Sequence, residues 1–275
     1  MSLSPSVVSL TSVVSALRAS GCVFAEDEAR LLISTARTPA ELDAMVARRV
    51  AGLPLEHVLG WAEFCGLRVA VDAGVFVPRR RTEFLARRAA ALARSGAVVV
   101  DLCCGSGAVG AGVAAAVEGA RVYAADVDPA AVRCARRNVP GGRVYEGDLY
   151  RPLPVALRDR VDVLVANAPY VPTREIALLP AEARVHEPRT ALDGGADGLD
   201  VQRRVAAEAP LWLAPGGHLL VETSACQAPL TVEVFARVGL TPHIELCDEL
   251  DATIVIGVRR GADQTGCPTD DASDG

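Results

Sequence analysis

The feature that most restricts the fold is a short apolar run that ends in an acid and turns on glycine. Ala97, Val98, Val99 and Val100 lead into Asp101, and Leu102-Cys103-Cys104-Gly105-Ser106-Gly107 follows before a helix-forming stretch from Ala108 to about Val117. An apolar run of this length without alternation is what a strand covered on both faces needs. The chain then repeats the pattern. Strands are expected over Arg121 to Asp126, Arg143 to Glu146, Val161 to Ala166 and Gly217 to Glu222. Helices are expected from the Asp128-Pro129 cap to Asn138, from Gly198 to Leu213 and from Ala228 to Val238. Such alternation closes most economically as a mostly parallel, doubly wound α/β sheet.

His243 to Cys247 and Ala252 to Arg259 have no helix between them and are expected to pair as an antiparallel hairpin at the end of the sheet. Five parallel units closed by such a hairpin are the seven-stranded, Rossmann-like pattern of class I methyltransferases. An ordinary dinucleotide fold more often carries a sixth parallel strand.

The chain before this region reads differently. Ser4-Pro5 is a helix start, and Val7, Leu10, Val14 and Leu17 share one helical face up to Gly21. A second helix is expected over Glu26 to Ala36, burying Ala29, Leu32 and Ile33. Thr38-Pro39-Ala40-Glu41 is a capping box that opens a third, burying Leu42, Met45, Val46 and the stem of Arg49. From Trp61 the texture turns to β. Phe64, Leu67, Val69 and Val71 read as one strand, Asp72-Ala73-Gly74 as a turn and Val75-Phe76-Val77 as the return strand. A further helix is expected from about Thr82 to Arg94. The resulting division is a helical substrate-recognition domain over 1–60, a β-hairpin connector over 61–80, the α/β domain over 81–260 and a polar, aperiodic, disordered tail over 261–275.

Composition narrows the function. The net charge of -6 disfavours a dedicated nucleic-acid binder, because phosphate contacts need concentrated positive charge. The local exception is Arg79-Arg80-Arg81 with Arg87 and Arg88. No run is long and apolar enough for a membrane helix, and no basic residue precedes Arg18 as a secretory leader would require. Eight cysteines without a C-x2-C pair, and four scattered histidines, lack zinc spacing, so no metal is expected and the cysteines read as small buried residues of a cytoplasmic protein.

Gly105-x-Gly107-x-x-Gly110, set between strand and helix, is the context of a nucleoside-binding turn. Asp126, at the end of the next strand, is placed to accept hydrogen bonds from two ribose hydroxyls. Asp101 directs the choice of ligand. An acid before the glycine turn would crowd a pyrophosphate but suits the ammonium of a methionine moiety, so the cofactor expected is S-adenosyl-L-methionine rather than NAD. Asp148, ending the third strand on the same edge, can meet an adenine amino group. Asn167-Ala168-Pro169-Tyr170 closes the fourth strand, where a transferable methyl would be presented. A planar nitrogen is a poor nucleophile because its lone pair is delocalised. The Asn167 side-chain oxygen and the Ala168 carbonyl can take its two N–H groups, Pro169 stiffens the turn, and Tyr170 can stack on the flat group.

These residues carry a resemblance. The chain is similar, from about residue 5 to residue 260, to the HemK/PrmC group of protein-(glutamine-N5) methyltransferases or a close related subgroup. Asp101 to Gly107 resembles the group's Asp-Leu-x-x-Gly-Ser-Gly loop, Asn167 to Tyr170 its Asn-Pro-Pro-Tyr turn, and His186 to Leu199, with Glu187-Pro188 and Gly194-Gly195-Ala196-Asp197-Gly198, the stretch that follows that turn. The resemblance implies methylation of a glutamine side-chain nitrogen in the Gly-Gly-Gln loop of a class I peptide-chain release factor, by a cytoplasmic monomer. Two departures stand out. Ala168 occupies the position of the group's first proline, and Pro78-Arg79-Arg80-Arg81-Thr82-Glu83 replaces its Pro-Arg-Pro-Glu-Thr-Glu. Other readings of the same turn are an adenine N6-methyltransferase acting on DNA or RNA and a small-molecule N-methyltransferase. An NAD oxidoreductase is a poorer fit, since the chain has no lysine for a Tyr-x-x-x-Lys site.

Overall fold

The computed structural model describes residues 9–139 and 141–261. The Ser4-Pro5 start, Val7 and all of the expected tail except Gly261 lie outside them. Four helices come first: α1 (Leu10–Ala19), α2 (Ala25–Thr35), α3 (Pro39–Val50) and α4 (Leu55–Leu59). They enclose a core of their own, built on Val13, Leu17, Ala29, Leu32, Leu42 and Met45. The caps are local. Ser9 accepts the Ser12 N–H ahead of α1, and Thr38 accepts the Glu41 N–H ahead of α3, with Pro39 at its first turn. Two details depart from the sequence reading. Ile33 is 37% exposed, because Ala29 and Leu32 already fill the inner face of α2. The short helix α4 has too few residues for a periodic signal.

The hairpin also differs. Its strands are β1 (Trp61–Phe64) and β2 (Leu67–Ala70), so the turn is Cys65-Gly66 and not Asp72-Ala73-Gly74, and Val75 to Val77 forms no strand. Both turn residues have positive φ, 50° and 73°, as a two-residue hairpin turn requires. The expected turn came too late because the strand pattern continues unbroken through Gly66.

Helix α5 (Thr82–Leu92) leads into the large domain, which contains β3 (Val98–Leu102), α6 (Ala108–Ala116), β4 (Arg121–Asp126), α7 (Pro129–Asn138), β5 (Arg143–Glu146) and β6 (Val161–Ala166), then α8 (Ala181–His186), α9 (Asp200–Trp212), β7 (Leu213–Thr223), α10 (Ala228–Arg237), β8 (Leu240–Cys247) and β9 (Ala252–Arg259). The sheet order is β5-β4-β3-β6-β7-β9-β8. The first five strands are parallel, and β9 is antiparallel to both β7 and β8. Side chains alternate between two faces. Val99, Val163, Val165 and Leu220 pack under α5, α6 and α7, while Val100, Leu102, Leu164 and Leu219 pack under α9 and α10. Each such fully buried side chain contributes roughly 1.5–3 kcal/mol. This two-sided burial is why β3 carries an unbroken apolar run. Helix α8 and the 3-10 turns at 173–178 and 189–191 fall in a stretch rich in Pro, Gly and Asp that the sequence reading left without elements. No helix among the described residues is long and apolar enough to cross a membrane.

Candidate active site

The C-terminal ends of β3, β4, β6 and β7 meet at one edge of the sheet, and the strand order turns between β3 and β6, where open α/β sheets hold their ligands. Asp101 is the penultimate residue of β3 and is 1% exposed. Its Oδ2 accepts the Gly110 N–H at 2.9 Å. Burial pushes its carboxyl up to about 7, with that N–H acting in the opposite direction and Asp126 adding to the rise. A side chain at 110 would place its Cβ 3.2 Å from this same oxygen, so the glycine makes room for the acid. Gly105 and Gly107 form the turn, and Gly107 caps α6 at φ 78°.

Asp126 closes β4. Its Oδ2 accepts the Gly105 N–H at 2.8 Å and its Oδ1 accepts the Asp128 N–H at 2.9 Å. Burial raises its carboxyl, opposed by these backbone donors. Each oxygen keeps a further lone pair for a ligand hydroxyl. Asp148, just past β5, also lines the cleft, but both its oxygens already accept from Arg204 Nη2, at 2.8 and 2.7 Å. The sequence reading did not include Arg204, which lies 56 residues further on in α9.

Asn167 to Tyr170 leave β6 beside the glycine turn. Asn167 Nδ2 donates to Thr82 Oγ1 at 3.3 Å, and no described residue donates to Asn167 Oδ1 or to the Ala168 carbonyl. Ala168 is buried, and Pro169 lines the cleft. The Tyr170 hydroxyl donates to Glu222 Oε1 at 3.2 Å and accepts from Arg81 Nη2 at 2.7 Å. Burial first, then Glu222, pushes this phenol up to about 12, so it stays a neutral donor. The Tyr170 carbonyl accepts from Gln227 Nε2 at 2.9 Å, and the same amide donates to the Asp197 carbonyl at 2.9 Å.

Glu222 and Gln227 are supports the sequence reading missed, while Arg81 and Thr82 were noted there only within the Pro78 to Glu83 departure. All four reach the turn through tertiary packing, so no spacing along the chain shows their partners. Asn138 is another such support. Its Nδ2 donates to the Ser106 and Ala70 carbonyls, both at 2.8 Å, tying the glycine turn to the hairpin.

Two hollows meet at the Asn167 turn. The first, about 1020 Å³ counting the open space at its mouth, contains Asp101, Asp126 and Asp148 with apolar Val127, Leu149 and Val201. The second, about 870 Å³ measured the same way, is bounded by Ala168, Tyr170, Arg79, Arg81 and Glu182. They share Phe76, Asn167, Pro169 and Ala191. Four acids face the first hollow and its one base, Arg204, is paired, so the lining repels a pyrophosphate and suits a nucleoside that carries positive charge. The residues present fit S-adenosylmethionine.

Fold and site together define a class I methyltransferase. A family described as "Methyltransferase small domain" matches residues 66–197. A methyltransferase structure from Pyrococcus furiosus superposes with a TM-score of 0.56 at 17% identity, covering 79% of this chain and 98% of that one. A release factor glutamine methyltransferase of Geobacter sulfurreducens is 39% identical over 81% of this chain and 80% of its own length. The 4-amino-L-phenylalanine/4-methylamino-L-phenylalanine methyltransferase of Streptomyces pristinaespiralis is 38% identical over 72% of this chain and 70% of its own length. The chain belongs to the release factor glutamine methyltransferase family.

Proposed function

We propose that this protein methylates the side-chain amide nitrogen of a glutamine in the Gly-Gly-Gln loop of a class I peptide-chain release factor. The observation that carries this reading is the pair of hollows meeting at Asn167, one lined by four acids, the other open beside two carbonyl oxygens to which no described residue donates. Bound in the first, S-adenosylmethionine supplies a methyl group made electrophilic by its sulfonium. Asp101 meets the ammonium, Asp126 the ribose and Asp148, shared with Arg204, the adenine amino group, while Gly105 and Gly107 let the backbone come close.

In the second hollow, Asn167 Oδ1 and the Ala168 carbonyl each accept one N–H of the amide, and the Tyr170 ring lies along its plane. The grip presents the nitrogen lone pair to the shared wall of the two hollows. As the nitrogen bonds the methyl carbon, the carbon–sulfur bond breaks and a neutral thioether leaves. The two oxygens stabilise the positive nitrogen by accepting its N–H bonds, and it then loses one proton to water. Ala168 loses the stiffness of a proline but keeps the carbonyl, the only part the grip uses.

The same reading takes 1–60 as the module that recognises the protein substrate, 61–80 as the connector and 81–260 as the catalytic domain. The enzyme acts as a cytoplasmic monomer on protein rather than nucleic acid. A small-molecule arylamine is the second reading, favoured by the Streptomyces pristinaespiralis relative. Incubation with S-adenosylmethionine and either a recombinant release factor or 4-amino-L-phenylalanine separates them by mass spectrometry. One added methylene on the loop glutamine is expected. Methylation of the amino acid alone would overturn the protein-substrate reading.

A further inference from the structure

The turn that grips the acceptor nitrogen rests on a carboxylate that lines neither hollow. Glu222 is the penultimate residue of β7 and is 1% exposed. Sheet register brings it to the site. β6 and β7 run parallel with Ala166 opposite Val221, so the next residues of the two strands, Asn167 and Glu222, are neighbours at the ligand edge.

Glu222 Oε1 accepts the Tyr170 hydroxyl at 3.2 Å and Arg81 Nε at 3.4 Å. Its Oε2 has no hydrogen-bond partner among the described residues. Burying a carboxylate with half its accepting capacity unused is unfavourable for folding. Its surroundings offset part of that cost. Burial raises the carboxyl, while the Thr82 hydroxyl, the Arg81 charge and the Tyr170 hydroxyl favour the ionised form. Thr82 is also the first residue of α5, and helix N-termini stabilise anions. The same Thr82 hydroxyl anchors Asn167 Nδ2. One of the groups that touch the acceptor amide, Tyr170, is therefore tied directly to this carboxylate.

We propose that Glu222 is a positioning residue of the methyl transfer: its carboxylate sets the Tyr170 ring, with Arg81 as the balancing charge. It does not touch substrate. Arg81, on the wall of the second hollow, completes the support from the solvent side. Glutamine at 222 keeps the volume of the side chain but gives up the charge that holds Arg81 and one of the equivalent acceptors.

The role rests on the methyl-transfer reading, and its test is Glu222→Gln measured in two ways. Crystal structures of wild type and variant with S-adenosylhomocysteine are expected to show the Tyr170 ring displaced by about 1 Å while the ligand stays in place. Kinetics on the release factor are expected to show kcat lower by roughly 10- to 100-fold with the KM for S-adenosylmethionine unchanged. A purely structural role would instead lower the melting temperature and leave kcat per folded molecule intact. An unmoved ring, or displacement with unchanged kcat, overturns the proposal. A wild type that methylates no glutamine counts against the glutamine reading alone, because the displacement still decides whether Glu222 positions the turn. Should Glu222→Gln fail to fold, Tyr170→Phe carries the test. It removes the hydroxyl that meets Glu222 and leaves the ring and the carboxylate, so the ring shifts and kcat falls, and unchanged turnover refutes the link.

Discussion

Asn167 donates through Nδ2 to the Thr82 hydroxyl at 3.3 Å, a bond that holds the amide plane, while no described residue donates to its carbonyl oxygen. The free acceptor is the atom an N–H nucleophile needs. Asn167→Ala is expected to lower kcat by about 10²- to 10³-fold, the cost of removing one oriented partner of developing charge. Calorimetric binding of S-adenosylhomocysteine and the melting temperature are expected to stay near wild type. Unchanged turnover would remove Asn167 from the mechanism.

Asp101 makes stability depend on pH in an unusual direction. Its carboxyl is held at about 7 in the folded protein against 3.8 for a free aspartate, chiefly through burial. The folded state thus binds the proton more tightly. This contribution to stability is fully present below pH 4 and is lost as pH rises to about 7. Asp101→Asn keeps an acceptor for Gly110 and carries no charge. Its stability relative to wild type is expected to rise by a few kcal/mol between pH 4 and pH 7 and then level off. Affinity for S-adenosylmethionine should fall in the same variant, since the ammonium loses its counter-charge. Denaturant titrations across this range would refute the assignment if the two proteins ran parallel.

Gly107 combines a left-handed backbone with a close neighbour. At φ 78° a substituted Cβ would lie 2.9 Å from Ala135 Cβ and 3.0 Å from Val139 Cγ2. Gly107→Ala is expected to destabilise by about 2–4 kcal/mol, from backbone strain plus overpacking against α7. Thermal unfolding measures this directly. A loss under about 0.5 kcal/mol would mean the turn can relax.

Arg49 joins the helical segment to the wall of the second hollow. It is 8% exposed, binds Glu28 through Nε at 2.6 Å and reaches Glu182 of α8 through Nη1 at 2.6 Å. Arg49→Ala leaves Glu28 nearly buried without its partner. A loss of about 3 kcal/mol is expected. Because Glu182 bounds the substrate hollow, KM for the protein substrate should rise while KM for S-adenosylmethionine does not. Equal changes in both would argue for a general loss of structure.

The parts of this protein legible in its sequence are those whose cause is local. The Thr38 capping box, the Asp128 cap, the two-sided apolar run of β3 and the strand-turn-helix with its glycines depend on residues within a few positions of one another. So do the Asp101, Asp126 and Asn167 positions, each at or next to the end of a strand. The hairpin turn was misplaced because Cys65 gives no turn signal and the β pattern runs through it. Ile33 was misassigned because periodicity marks a face but not how much of it a partner helix covers.

Hydrophobic period and turn chemistry, which act along the chain, determined by themselves the class of fold and which strand ends carry acids, glycines and the Asn167 turn. What surrounds those residues was decided by strand order. Parallel pairing of β6 with β7 sets Glu222 beside Asn167 across 55 positions of sequence, and packing of α5 on the sheet brings in Thr82 and Arg81. Hydrogen bonds and ion pairs of this kind are formed through space, between residues whose separation along the chain carries no signal, so they exist only once the tertiary structure has closed.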